Sequence, residues 1–225
     1  MFGKWDSTSR KINGKSVNIA HTKLSGPLSD SAIGNAGAVV DASRTMLQTA
    51  ISATSADNWS DAAKAAAAKL FLTDASGPSD AERKAINKVL RMTKDGLGGT
   101  ATIKVGSSAD ANGYVNLHKD WKHKIFLSNK VKSLGSGKNE YVGRQHVDRS
   151  YFEDFNAENR TRAILTYIHE STHRYAGTVD FDDQGYVSAT TYIGNGSIRF
   201  REPGISKAQA LVNADSYAVF VCEIA

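Results

Sequence analysis

The spacing of apolar residues changes character near position 100. Upstream, apolar positions recur at threes and fours; downstream, they alternate with polar ones. Residues 1–27 precede both patterns. They are polar, turn at Lys11-Ile12-Asn13-Gly14-Lys15, break at Gly26-Pro27, and fit either a short hairpin or a loose arm. Ser29 or Asp30 then caps a helix that runs to about residue 56, with Ile33, Val39, Val40, Met46, Leu47 and Ile51 as its apolar positions. Gly34 and Gly37 weaken its first turns. Ser60 or Asp61 caps a second helix over the alanine-rich run to Phe71. After Gly77-Pro78, Ser79 and Glu82 make a capping box for a third helix to about Lys94, with Ile86, Val89, Leu90 and Thr93 on its stripe. Gly96-Leu97-Gly98-Gly99 ends this block.

Beyond Thr100, Thr102-Ile103-Lys104-Val105 and Tyr114-Val115-Asn116-Leu117 predict two strands joined through Asp110-Ala111-Asn112-Gly113, and Lys124-Ile125-Phe126-Leu127 predicts a third. Residues 133–148 are glycine-rich and polar and read as a loop, with Tyr151, Phe152 and Phe155 packing at its end. Asn156 or Asn159 caps a helix from about Ala157 to Tyr175, and Gly177 fits its C′ position. Ile164, Ile168, Ser171 and Tyr175 face the core, and Leu165, His169 and His173 lie along the neighbouring edge. Tyr186–Ile193 is strand-like. A last helix opens at Ser206-Lys207-Ala208 and continues through Leu211, Tyr217, Phe220 and Val221. The fold class is α+β. The pattern divides into a helical amino-terminal portion of unknown role, residues 1–99, and a unit of residues 100–225, packed together.

A chain of 225 residues with 40% hydrophobic and 23% charged content can bury a core of its own. Its single cysteine, Cys222, excludes an intrachain disulfide and a cysteine-rich zinc site, and reads as a small buried residue of the last helix. No segment approaches the ~20 apolar residues of a membrane span. The first residues lack the apolar core of a signal peptide, so the expected location is the cytoplasm or, by a route without a cleaved signal, the exterior. Charge is uneven: residues 1–150 hold 22 Lys and Arg against 13 Asp and Glu, whereas residues 151–225 hold 6 against 10. The lysines of the basic part are scattered, which argues against specific nucleic-acid binding.

The chemistry concentrates at Tyr167-Ile168-His169-Glu170-Ser171-Thr172-His173. On a helix, residues four apart share a face, so His169 and His173 can hold one metal ion while Glu170 reaches a water on it. This is the H-E-x-x-H arrangement of zinc peptidases. Two histidines leave a catalytic zinc one protein ligand short. Gly177-Thr178-Val179-Asp180 follows at once, and Asp180, Asp182 and Asp183 are all placed to return a carboxylate, with Asp180 first.

His169-Glu170-Ser171-Thr172-His173, Gly177-Thr178-Val179-Asp180 and Asn213-Ala214-Asp215-Ser216-Tyr217 together resemble, in order, the motifs of the aspzincin metallopeptidases, the deuterolysin and lysine-specific metallo-endopeptidase group. The resemblance covers roughly residues 120–225, and the missing disulfides suggest a bacterial branch. It implies a zincin-like catalytic domain with a small mixed sheet, holding one Zn²⁺ on His169, His173 and Asp180. It also implies Glu170 as general base and Asp215 beside the pocket for the residue after the scissile bond. The family's G-T-x-D-x-x-Y-G pattern has a tyrosine that stabilises the tetrahedral intermediate. Asp183 stands at that place here, and Tyr186, three residues on, is the candidate for its role.

The expected activity is hydrolysis of internal peptide bonds in a protein or peptide substrate. The acidic carboxy-terminal part and Asp215 suggest a basic side chain beside the cleaved bond, and the strand at Lys124–Leu127 could pair with substrate by edge addition. Without a signal peptide or disulfides, the chain reads as a secreted bacterial effector or toxin, with secretion machinery or an inhibitor or immunity protein as further partners. Two other readings compete: a zinc amidase acting on peptidoglycan or another non-protein amide, and a non-catalytic basic interaction module with a decayed metal motif. His118, His123 and His146 have no assigned role.

Overall fold

Asn13 and Gly14 adopt positive φ angles of 48° and 76°, the backbone that a two-residue hairpin turn requires. They join β1 (Trp5–Ile12) to β2 (Lys15–Thr22), with Ile12 paired to Lys15. The amino-terminal segment is therefore a hairpin. It is also part of the main sheet, because β2 pairs in parallel with β3 (Ala101–Gly106). The computed structural model describes residues 5–22, 26–55, 59–106, 113–117, 141–181, 184–187 and 204–225. Among these, five strands make one mixed sheet in the order β1-β2-β3-β5-β4, with β4 at Gly113–Leu117 and β5 at Tyr141–Asp148.

One expectation fails here. Residues 141–148, read as part of a loop, form β5, which lies between the two expected strands, β3 and β4. Polar residues disguise this strand. Gln145 is fully buried, yet its amide reaches Ser171 at 3.3 Å and Thr102 at 3.4 Å, so a polar side chain takes an apolar residue's place. The expected strand at Lys124–Leu127 lies outside the described residues, as does most of Tyr186–Ile193.

Helices α1 (Asp30–Ala53), α2 (Asp61–Leu70) and α3 (Asp80–Gly98) start at the expected serines, Ser29, Ser60 and Ser79, each accepting a backbone N–H of its first turn. Helix α3 outruns its expected end by about one turn. Leu97 is fully buried, and Gly96 lies so close to the Tyr175 ring that an added Cβ would sit 2.2 Å from it. Glycine here lets two helices approach and does not stop the first one. Buried Arg44 of α1 donates to the Leu97 and Gly99 carbonyls at 2.8 and 3.0 Å, satisfying groups that a helix end leaves open.

A short helix, α4 (Ser150–Glu153), buries Tyr151 and Phe152 and leads to α5 (Ala157–Ala176). The single last helix expected from the sequence is two, α6 (Lys207–Ala210) and α7 (Ala214–Ile224). Between them the chain forms a parallel bridge: Val179 N–H donates to Val212 O at 2.9 Å, and Ala214 N–H donates to Val179 O at 3.0 Å. Residues from both sides of position 99, among them Val17, Leu47, Leu90, Ile103, Ile168 and Phe220, share one apolar core. No helix is long and apolar enough to cross a membrane among the described residues.

Candidate metal centre

Helix α5 carries half of the site, and local chemistry fixes its frame. The Asn156 side chain accepts the Asn159 N–H at 2.9 Å to start it. Gly177, at φ 68°, ends it in the left-handed conformation that glycine tolerates. Its N–H returns to His173 O at 3.1 Å, and Thr178 N–H returns to Thr172 O at 3.4 Å. The chain then reverses, and the bridge at Val179 carries Asp180 back to the helix face that bears His169 and His173.

The three side chains converge. His169 Nε2 and His173 Nε2 are 3.1 Å apart, and the Asp180 oxygens lie 3.2 Å and 3.3 Å from them. Among the described residues this is the one group of three that could hold a metal ion. The outer nitrogens decide what the inner ones can do. Thr178 O can only accept, so its 2.8 Å contact places a proton on His173 Nδ1. Asp215 does the same for His169: its Oδ1 is 3.3 Å from Nδ1, while its Oδ2 accepts the Val187 N–H at 2.7 Å. In neutral rings both Nε2 atoms then present lone pairs to each other and to a carboxylate. A cation among them relieves that repulsion.

The titration of the cluster points the same way. Burial by itself would lower the pKa of His169, but Asp180 and Asp215 outweigh it and hold the ring well above the ordinary histidine value. Burial would raise the carboxyl of Asp180, and the two imidazoles beside it bring it below the usual carboxylate range instead. Both shifts favour positive charge where the three side chains meet. Two nitrogens and one oxygen are the donor set of a catalytic zinc, with one position left over. Solvent reaches the cluster on the Asp180 side, since that side chain is 41% exposed against 8% and 4% for the histidines.

Glu170 is buried on α5 beside the first histidine and packs near Gly113, where β4, the last strand of the sheet among the described residues, begins. Tyr186 is half-buried and lies nearly parallel to the His169 ring, 6.2 Å away between centroids and 9° between planes. Asp215, expected beside the substrate, lies behind His169. It is 3% exposed and both its oxygens are engaged, so it offers a substrate no free face. Asp182 and Asp183, with His118 and His123, lie outside the described residues. His146 is not in the cluster. It stands on β5 next to Gln145, and burial, with Lys104 and Arg144 adding to it, lowers its pKa to about 3. Burial pushes the Cys222 thiol up to about 12, the opposite of a reactive thiolate.

Sequence reasoning gave Thr172, Thr178 and Asn213 no individual role. The Thr172 and Thr178 hydroxyls meet at 2.8 Å and tie the helix end to the reversing turn. Asn213 donates to Gly185 O at 2.7 Å. Their only signal was membership of the quoted motifs.

No protein-family profile matches this sequence, and no curated protein does. Among solved structures, the fold is similar to that of a zinc peptidase from Grifola frondosa. The TM-score is 0.52 at 14% identity, over 86% of this chain and 96% of the other. At that identity the likeness is one of fold, and the fold is the α+β, aspzincin-like architecture that the sequence motifs implied.

Proposed function

We propose that this protein is a zinc-dependent endopeptidase of the aspzincin kind, with His169, His173 and Asp180 as the metal-holding residues and Glu170 as general base. The observation that carries this reading is the convergence of three electron-pair donors on one point, with both outer imidazole protons directed away from it. Its setting adds support: an H-E-x-x-H helix, in a fold similar to that of a zinc peptidase. When bound, zinc supplies a Lewis acid for the scissile carbonyl and lowers the pKa of water toward ~7.

The chain's own residues account for the rest. Glu170 takes the proton from the attacking water and delivers it to the leaving amine nitrogen, so one carboxylate serves both halves of the reaction. Asp215 and Thr178 O fix the ring protons on Nδ1 and keep both Nε2 atoms available. Tyr186 is the candidate donor to the oxyanion. The beginning of β4 beside Glu170 is, among the described residues, the edge of the sheet, along which an extended peptide could pair. A preference for a basic side chain loses the support of Asp215, which is turned to His169.

The test is proteolysis by purified protein and by Glu170→Gln, with zinc content measured on both and cleavage sites mapped. Glu170→Gln should retain zinc while turnover falls by about 10²–10⁴. A variant that keeps full activity removes Glu170 from the mechanism, and a wild-type protein that binds no zinc at micromolar concentration removes the metallopeptidase reading.

A further inference from the structure

Among the described residues, 212–215 reach both loop segments of the centre, the one that carries Asp180 and the one that carries Tyr186. Val212 O and Ala214 N–H hold Val179, the neighbour of Asp180. Asp215 holds the Val187 N–H and His169. Asn213 holds Gly185 O. Gly185 and Val187 flank Tyr186, so two polar side chains at the start of α7, Asn213 and Asp215, grip the loop on either side of that tyrosine.

The Asn213 side chain behaves unusually for its place. It occupies the N-cap of α7, where an asparagine ordinarily turns its oxygen to the first free N–H groups, yet it makes no such bond. Its amide instead donates to Gly185 O at 2.7 Å and to Ser216 Oγ at 3.1 Å. Oδ1 is left buried with no partner among the described residues. An unmatched buried acceptor is an expensive arrangement for a residue that only starts a helix. Gly185 is fitted to it from the other side, because an added Cβ would lie 2.8 Å from Asn213 Oδ1 and 3.0 Å from Phe181 N.

We infer that Asn213 is a positioning residue that holds the 184–187 loop so that Tyr186 stays stacked against His169 at the metal centre. This rests on the peptidase reading for its effect on turnover, but the grip itself does not. Asn213 touches neither substrate nor metal in this scheme; it acts through Tyr186.

A double-mutant cycle tests it. Asn213→Ala should lower kcat about 10-fold, since small displacements of a positioned group cost that much or more, with KM and zinc content little changed. In a Tyr186→Phe background the same substitution should cost almost nothing. Gly185→Ala, which leaves Asn213 in place, should reproduce the loss. An equal cost in both backgrounds, or a silent Tyr186→Phe beside an impaired Asn213→Ala, overturns the inference. Amide exchange supplies a reading independent of activity: Asn213→Ala should speed exchange at Val187 about 10-fold or more as the loop opens. If the protein proves inactive, this arm still decides, and unchanged protection at Val187 refutes the grip.

Discussion

The two halves of the centre are built differently. His169, Glu170 and His173 stand on a 20-residue helix whose start, end and spacing follow from its own sequence: an asparagine cap, a left-handed glycine, and residues four apart on one face. Asp180 and Tyr186 stand on irregular chain held by backbone pairing and side-chain bonds from residues more than 25 positions away. The helix half would keep its geometry in many surroundings. The loop half exists only while α7 is docked. Variants at the two halves should therefore differ in kind, with local loss at one and displaced geometry at the other.

The largest effect that sharpens this contrast is on the metal. Asp180→Ala removes the one proposed ligand that the helix cannot supply. Zinc affinity should fall by more than about 100-fold, because altering residues that merely support a ligand already costs 10–100-fold. The fold should survive, since Asp180 is exposed and its neighbour Val179 keeps both bridge bonds. Competition with a chelating dye measures the affinity. Zinc binding within a few-fold of wild type would mean that the loop half does not contribute to the metal.

Asp215→Asn comes next. The amide keeps the size of the side chain but offers His169 Nδ1 only one neutral oxygen, which the Val187 N–H also needs. Zinc should bind about 10–100-fold more weakly, and the loss should appear mostly as faster release. An unchanged dissociation rate would show that His169 holds its tautomer without help and that the helix half is self-sufficient.

How far the sequence could be read follows the same division. The cap at Ser79, the caps of α1, α2 and α5 to within two candidates each, and the His169–His173 pair on one face of α5 were legible, because each depends on residues within one or two turns. So was Asp180 as a candidate, from a glycine and a carboxylate at a short interval. Strand β5 was not, because its buried Gln145 takes its hydrogen bonds from Thr102 and Ser171 on other elements, and with His146 beside it the segment mimics a polar loop. The break between α6 and α7 was hidden for a related reason. Residues 211–213 carry no helix breaker, and the pairing with Val179 interrupts the helix there. Asp215 was recognised as part of a motif, but its direction depends on where α7 docks.

The smallest effect tests whether the helix half depends on packing at all. Gly96 of α3 touches the Tyr175 ring of α5, two residues beyond His173. Gly96→Ala gains about 1 kcal/mol of helix propensity. Against this stands the overlap with the ring, and overpacking costs about 1–3 kcal/mol. The net should be a loss on the order of 1 kcal/mol, which for a chain of this size lowers Tm by about 2–4 °C. Zinc affinity should stay within about 3-fold. Tyr175 can yield at its ring, while His173 remains fixed by Thr178 O and His169 by Asp215. If Gly96→Ala instead weakens zinc as much as Asp215→Asn does, the helix half is not autonomous. The packing of α3 on α5 would then be as much a part of the metal site as the loop that completes it.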